Sequence, residues 1–169
     1  MVTGDRDLFQ LVDDERQVRV LYTVKGLGKL DPVTEAEVGK KYDIPGNRYA
    51  DFAVLRGDPS DGLPGVPGIG EKTAAALIRT FGDLDSLKNA LDMGHGGFPT
   101  GTRKKLEAAR SYLDVAPPVV RTATDVPLPD DIDGTLPAVP PDAELLAEMG
   151  AELGLGSSLT RFRATVTKS

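Results

Sequence analysis

The sequence predicts a mostly α-helical fold with a small β element at its N-terminus. Three features point there. Apolar residues recur at helical spacing behind recognisable caps over much of the chain. Strict alternation appears only early, in Gln17–Thr23, where Val18, Val20 and Tyr22 face away from Arg19, Leu21 and Thr23. Between two expected helices lies GDPSDGLPGVPGIG, Gly57 to Gly70, dense in glycine and proline.

In chain order, MVTG opens as a short β-type run, Gln17–Thr23 is a strand and Lys25–Gly28 is a turn. Thr34-x-x-Glu37 is a capping box, with Val33 and Val38 placed as a hydrophobic staple, so a helix is expected over about 34–42. Asn47 is expected to cap a second helix that carries Tyr49, Phe52 and Ala53 on one face and stops at Gly57. Ala74, Leu77, Ile78 and Phe81 then recur at helical spacing up to Gly82. A short helix from Asp83 to Leu91, the loop DMGHGGFPTGT and a helix capped by Thr102 and running through Leu113 follow. Residues 116–141 are too rich in proline for much regular structure. Helices at Asp142–Leu153 and Ser157 to about Ala164 close the chain. Leu145, Leu146, Met149 and Leu153, at helical spacing, read as packing against the core.

The chain has 169 residues, 40% hydrophobic and 27% charged, which suits one soluble globular domain or slightly more. No apolar run approaches the ~18 residues of a membrane span. Met1 leads straight into VTGDRD, so no secretory signal is expected. The absence of cysteine excludes disulfides and thiolate metal sites and fits a cytoplasmic location. With His95 the lone histidine, a metal would have to be a hard cation held by oxygens. A net charge of −6 argues against nucleic acid, but residues 66–110 carry seven basic and five acidic side chains, a local +2. Binding follows the local field.

The glycine-rich loop admits three readings. A phosphate-binding G-x-x-x-x-G-K-[ST] loop fails, because Glu71 separates Gly70 from Lys72-Thr73 and puts a carboxylate where phosphates would sit. A plain helix–helix connector needs one or two backbone-setting residues, far fewer than this loop has. A helix–hairpin–helix element uses them all: Val66–Gly70 places two glycines around the apolar anchor Ile69, and the next helix aims its free N–H groups beyond the hairpin. Such an element binds phosphate backbone without reading bases. Arg103, Lys104 and Lys105 sit at a helix N-terminus, where the dipole disfavours cations. A phosphate partner or a solvated basic turn would each account for that.

Asp5 and Asp7 are two apart, and Asp58 and Asp61 three apart in a tight turn, so each pair can project to one side. Aspartates in turns are commonly structural. Two converging pairs beside a phosphate-binding hairpin would repel one another and ask for Mg²⁺ or Mn²⁺.

VTGDRDLFQLV, VLYTVKGLGKLDP, YADFAVLRGDPSDGLPGVPGIGEKTAAALI and VVRTATDVPLP together resemble, in order, the 5′-nuclease (flap endonuclease-like) family. The likeness is to the 5′–3′ exonuclease domain of bacterial DNA polymerase I and its stand-alone relatives. It runs from Val2 to at least Leu128, and GDPSDGLPGVPGIGEKTA is its most specific part; Gly62 stands where the family usually has Asn. The resemblance implies a helix–three-turn–helix at about 51–82, inside a SAM-like helical DNA-binding subdomain at 31–169, attached at 1–30 to the remnant of an α/β PIN-like nuclease core. It implies that Asp5, Asp7, Asp58 and Asp61 hold two divalent cations, Mg²⁺ or Mn²⁺, and that a monovalent cation such as K⁺ sits at the hairpin between carbonyls and DNA phosphate. Val66, Gly68, Ile69, Gly70, Lys72 and Thr73 would grip duplex DNA beside a 5′ flap or a single-strand junction, with Arg103, Lys104 and Lys105 against phosphates.

Intact relatives carry a further N-terminal half with most of a central sheet, more acids and a helical arch. The chain therefore matches a C-terminal half and is expected to be a monomer, less stable than a full nuclease, with an unpaired strand edge. The function expected is 5′–3′ exonuclease or structure-specific flap endonuclease in DNA replication and repair. The alternative is a non-catalytic DNA-binding module.

Overall fold

The computed structural model describes residues 1–131, 134 and 142–166. The chain forms two compact units, Met1–Thr124 and Asp125–Ser169. The β element and the helices around the glycine-rich loop lie in the first unit.

Three short strands open the first unit: β1 (Val2–Thr3), β2 (Val20–Tyr22) and β3 (Asp31–Val33). They form one sheet in the order β1-β2-β3, with β1 parallel and β3 antiparallel to β2. Among the described residues β1 pairs on one side only, with β2. Pro32, which cannot donate to a ladder, falls on the opposite edge strand, where that costs nothing. The expected strand from Gln17 begins only at Val20. Asp13 and Val18 exchange backbone hydrogen bonds of 2.9 and 2.8 Å around a turn in which Gln17 adopts φ +59°. The chain has to reverse there before it can extend.

Helix α1 (Glu35–Tyr42) starts as its capping box predicts, Glu37 N donating to Thr34 Oγ1 at 3.2 Å. Asp14, distant in sequence, also accepts from the amides of Glu35 and Ala36 at 3.0 and 3.1 Å. Helix α2 (Tyr49–Arg56) is entered through a short 3₁₀ turn, Gly46–Arg48, and not through an Asn47 cap. Its residues Tyr49 to Leu55 are all buried. Helices α3 (Glu71–Phe81) and α4 (Leu84–Asp92) follow, α4 capped by Asp83, which accepts from Ser86 N at 2.8 Å. Ser86 bonding holds the Asp83 carboxyl below its ordinary range, with Arg48 assisting.

The expected helix from Thr102 to Leu113 is two helices, α5 (Thr102–Ala108) and α6 (Arg110–Val115), which meet at Ala109. Thr102 is not the cap. Gly101 takes that place at φ +74°, and Thr102 is buried in the first turn. Pro117-Pro118, expected to bar regular structure, instead opens helix α7 (Pro117–Val120), since proline is tolerated in a first turn whose amides lack partners. Residues 132–133 and 135–141 of the proline-rich stretch lie outside the described residues.

The core of this unit is one cluster in which Phe9, Tyr22, Tyr42, Tyr49 and Phe52 pack ring against ring, with centroids 5.2–5.4 Å apart along Tyr22–Phe9–Tyr49–Tyr42–Phe52. Burial pushes the Tyr49 phenol up, with Tyr42 adding to it.

The second unit contains α8 (Ala143–Glu152) and α9 (Gly156–Val166). Asp142 caps α8 by accepting from Leu145 N at 2.8 Å. Buried Gly150, without a side chain, lets Leu159 of α9 lie against α8. The apolar set read as core packing is largely exposed: Leu145 51%, Met149 42% and Leu153 61%. Among the described residues no helix is long and apolar enough to cross a membrane.

Candidate metal and nucleic-acid site

The first acidic pair sits where β1 ends. The amide of Asp7 donates to Asp5 Oδ1 at 2.8 Å, so Asp5 and Asp7 are folded onto one side of a tight turn. Asp7 then opens a 3₁₀ turn, Asp7–Leu11, pinned by Phe9, which is 2% exposed. The second pair lies in the turn after α2. Asp58 and Leu63 exchange backbone hydrogen bonds of 3.0 Å in each direction, closing a small loop that carries Pro59–Asp61 as another 3₁₀ turn.

The fold brings three of the four aspartates together. One carboxylate oxygen from each of Asp5, Asp7 and Asp61 lies within 4.8 Å of the others. Each pair at that distance repels by about 1 kcal/mol in water-like surroundings. Burying the Phe9 ring stabilises by about 2–3 kcal/mol, comparable to the three pair repulsions together. Asp58 lines the same cleft of about 390 Å³, together with Asp5, Arg6, Tyr22, Ser60 and Asp61. Its carboxylate, however, is bonded elsewhere: it accepts from Ser60 Oγ at 2.5 Å, Ser60 N at 3.2 Å and the Arg56 guanidinium at 3.2 Å.

Asp7 Oδ1 is buried with no hydrogen-bond partner in the structure. Burial pushes its carboxyl up to about 6, with Asp5 next in effect, then Asp61 and Asp58; Arg56 opposes them. A carboxylate with one buried oxygen lacking a donor, grouped with two more carboxylates, is a place short of positive charge. An all-oxygen donor set suits a hard divalent cation, so the residues present fit the metal expected of them.

The hairpin begins where α2 ends. Gly57 (φ +83°) and Gly65 (φ +68°) cross so closely that a Cβ on Gly65 would stand 2.5 Å from the Arg56 carbonyl oxygen. Only glycine fits that crossing. Val66 and Ile69, read as contact residues, are 2% and 3% exposed. Their amides are already bonded, to Leu55 O at 3.0 Å and Val66 O at 2.9 Å, so they shape the hairpin and leave its outer face to others. That face presents Gly68 (φ +76°), Gly70, Lys72 and the half-buried Thr73. Gly70 ends the hairpin as the N-cap of α3, with no side chain capping the helix. Its φ is −92° and a Cβ there would meet nothing within 4 Å. Among the described residues, neither backbone nor packing requires glycine at this position.

The basic cluster divides by role. Lys104 and Lys105 are exposed, and Lys105 Nζ donates to Gly68 O at 2.9 Å. Arg103 instead braces the loop before α5: it donates to the carbonyls of Leu91, at 3.1 Å, and His95, and lies over the Phe98 ring at 4.7 Å.

The pattern of acids and glycines could not reveal Arg6, Gln10, Arg56 and Ser60. Arg6 donates to the Tyr22 hydroxyl at 3.0 Å inside the acidic cleft. Gln10 ties the Asp7 turn to the end of α7, donating to Asp7 O at 2.7 Å and Val120 O at 3.0 Å and accepting from Thr122 N at 3.0 Å. The one available signal was position: Arg6 sits between the two aspartates, and Arg56 just before Gly57.

The first unit thus combines a helical hairpin that ends in a helix N-terminus without a side-chain cap and three converging carboxylates. Residues 44–144 match the family model described as 5′-3′ exonuclease, C-terminal SAM fold, and the chain belongs to that family. It is 58% identical over 168 residues to a 5′-3′ exonuclease of Streptomyces coelicolor, covering 99% of this chain and 55% of that one. It is 46% identical over 172 residues to a 5′-3′ exonuclease of Mycobacterium tuberculosis, covering 96% and 53%. The chain thus spans about half the length of these relatives. A solved structure of T5 5′-exonuclease with divalent metal ions (zinc) bound shares the fold, with TM-score 0.56 and 20% identity over 70% of this chain and 41% of that one.

Proposed function

We propose that this chain is the metal-holding, duplex-gripping half of a metal-dependent 5′–3′ exonuclease or flap endonuclease acting in DNA replication and repair. The observation that carries the proposal is the convergence of Asp5, Asp7 and Asp61, with one Asp7 oxygen buried and lacking a donor, in the unit that also presents the open N-terminus of α3. The two exonuclease relatives support it.

Asp5, Asp7 and Asp61 would hold divalent cation, Mg²⁺ or Mn²⁺, with Asp58 at the edge of the same cleft. When bound, two such ions activate water and neutralise the leaving oxyanion of a phosphodiester. The chain's own residues orient the substrate. The α3 amides and dipole, with Lys72 and Thr73, receive one backbone phosphate. Gly68 and Gly70 let the strand approach, and Lys104 and Lys105 engage neighbouring phosphates. Gly70, which nothing among the described residues requires, is accounted for by a backbone lying against it. Arg103 supports this surface from behind. A K⁺ ion at the hairpin would meet the Lys105 ammonium already on the Gly68 carbonyl. The partner is duplex DNA bearing a 5′ flap or a single-strand junction, bound by a monomer.

The test is cleavage of a labelled 5′-flap duplex with Mn²⁺, using this chain and Asp61→Ala, alongside binding at low and high salt. Cleavage lost in the variant establishes the nuclease reading for this chain. Salt-sensitive binding without cleavage assigns it the grip alone, as a non-catalytic DNA-binding module. Salt-insensitive binding, or none, overturns both.

A further inference from the structure

We propose that Arg56 is a positioning residue that competes with the divalent cation for Asp58. This inference rests on the cation reading of the acidic cleft. Arg56 closes α2, and its side chain is 14% exposed against 10% for Asp58. Its guanidinium is fixed at several points: Nε donates to Gly57 O at 3.0 Å, one terminal nitrogen donates to Asp58 Oδ2 at 3.2 Å, and its plane lies over the Phe52 ring at 5.1 Å. A cation this enclosed is a permanent neighbour of the site, since arginine does not give up its proton.

The pairing explains why Asp58, although it lines the cleft, stands outside the cluster of Asp5, Asp7 and Asp61. Its two oxygens serve Arg56 and Ser60. The other terminal nitrogen of Arg56 is 3.9 Å from Glu71 Oε2, in the first turn of α3. The guanidinium therefore has a second carboxylate within reach. When Asp58 turns to a cation, Arg56 stays paired by moving onto Glu71, the residue beside the proposed phosphate seat. Carboxylate release at the metal and charge neutralisation at the start of α3 are then two ends of one exchange.

The test is Mn²⁺ binding to the whole chain without DNA, read from the electron paramagnetic resonance of free Mn²⁺. Asp5→Asn should weaken binding about tenfold or more, while Asp58→Asn should change it by less than about threefold. Arg56→Met should tighten binding about fivefold, through removal of a nearby positive charge and release of Asp58, and adding Asp58→Asn should cancel most of that gain. Arg56→Lys, which keeps the charge without the fork, should fall between. Equal weakening by Asp58→Asn and Asp5→Asn overturns the inference, and that comparison decides alone if Arg56→Met fails to fold. Unchanged Mn²⁺ affinity in folded Arg56→Met overturns it too. No Mn²⁺ binding by the unaltered chain defeats the cation reading itself.

Discussion

The ammonium of Lys105, on α5, donates to the carbonyl oxygen of Gly68 at the tip of the hairpin, 2.9 Å away. One flexible side chain thus fastens the hairpin to a helix far along the sequence. Lys105→Met should loosen the tip and remove a charge. Flap-duplex affinity should fall, and the slope of log affinity against log salt should shrink by about one, as measured by fluorescence anisotropy across a salt series. Arg103→Leu should act differently: it should lower the melting temperature, because Arg103 braces the Leu91 and His95 carbonyls, and leave the salt slope unchanged.

Asp7 makes stability depend on pH. Its folded carboxyl titrates near 6, above the ordinary 3.8. The folded state therefore binds the proton more tightly than the unfolded state. The stabilisation is fully present below the ordinary value and is lost as pH rises through about 6. Thermal melts without divalent cation should show the melting temperature falling between these limits. Asp7→Asn should flatten that profile and melt higher at neutral pH. Mn²⁺ should restore stability to the unaltered chain at neutral pH.

Gly65 and Gly70 should respond oppositely to alanine. Gly65→Ala forces a Cβ against backbone at φ +68° and should cost roughly 3 kcal/mol or more, seen as a large loss in denaturant midpoint. Gly70→Ala meets nothing and should cost less than about 1 kcal/mol. Its effect should appear in weakened binding to duplex DNA.

Asp51 ties three elements at once. It is 5% exposed, accepts from Arg121 at 2.9 Å and from the amide of Leu84 at 3.2 Å, and so anchors the start of α4 to α2. Asp51→Ala should destabilise by about 2–3 kcal/mol, measured by urea unfolding, with half-exposed Arg121 regaining water.

The elements legible in the sequence were those whose signals are local. Thr34-x-x-Glu37, Asp83 and Asp142 each cap the helix they precede, because a cap is a bond between near neighbours. Local signals also misled, since Asn47 and Thr102 do not cap their helices, and some of what stayed hidden was decided at long range. Asp14 caps α1 from outside it, and the break at Ala109 carries no proline or glycine to announce it. The Leu145–Leu153 stripe has helical spacing, but spacing alone does not say whether anything covers it. At the site, the acids and glycines were readable as types in a pattern. That Asp58 faces Arg56 while Asp61 faces Asp5 and Asp7 depends on which way one tight turn aims its side chains.

The paired amides and carbonyls of Asp58 and Leu63, with the close Gly57–Gly65 crossing, join the acidic turn and the hairpin into a single bracket. In the proposed complex, the distance between a seated backbone phosphate and the acidic cleft is then a dimension of the protein, not of the DNA. A nuclease built on such a bracket measures its substrate as callipers do. It would cut at a set number of nucleotides from the duplex it holds, whatever bases lie between.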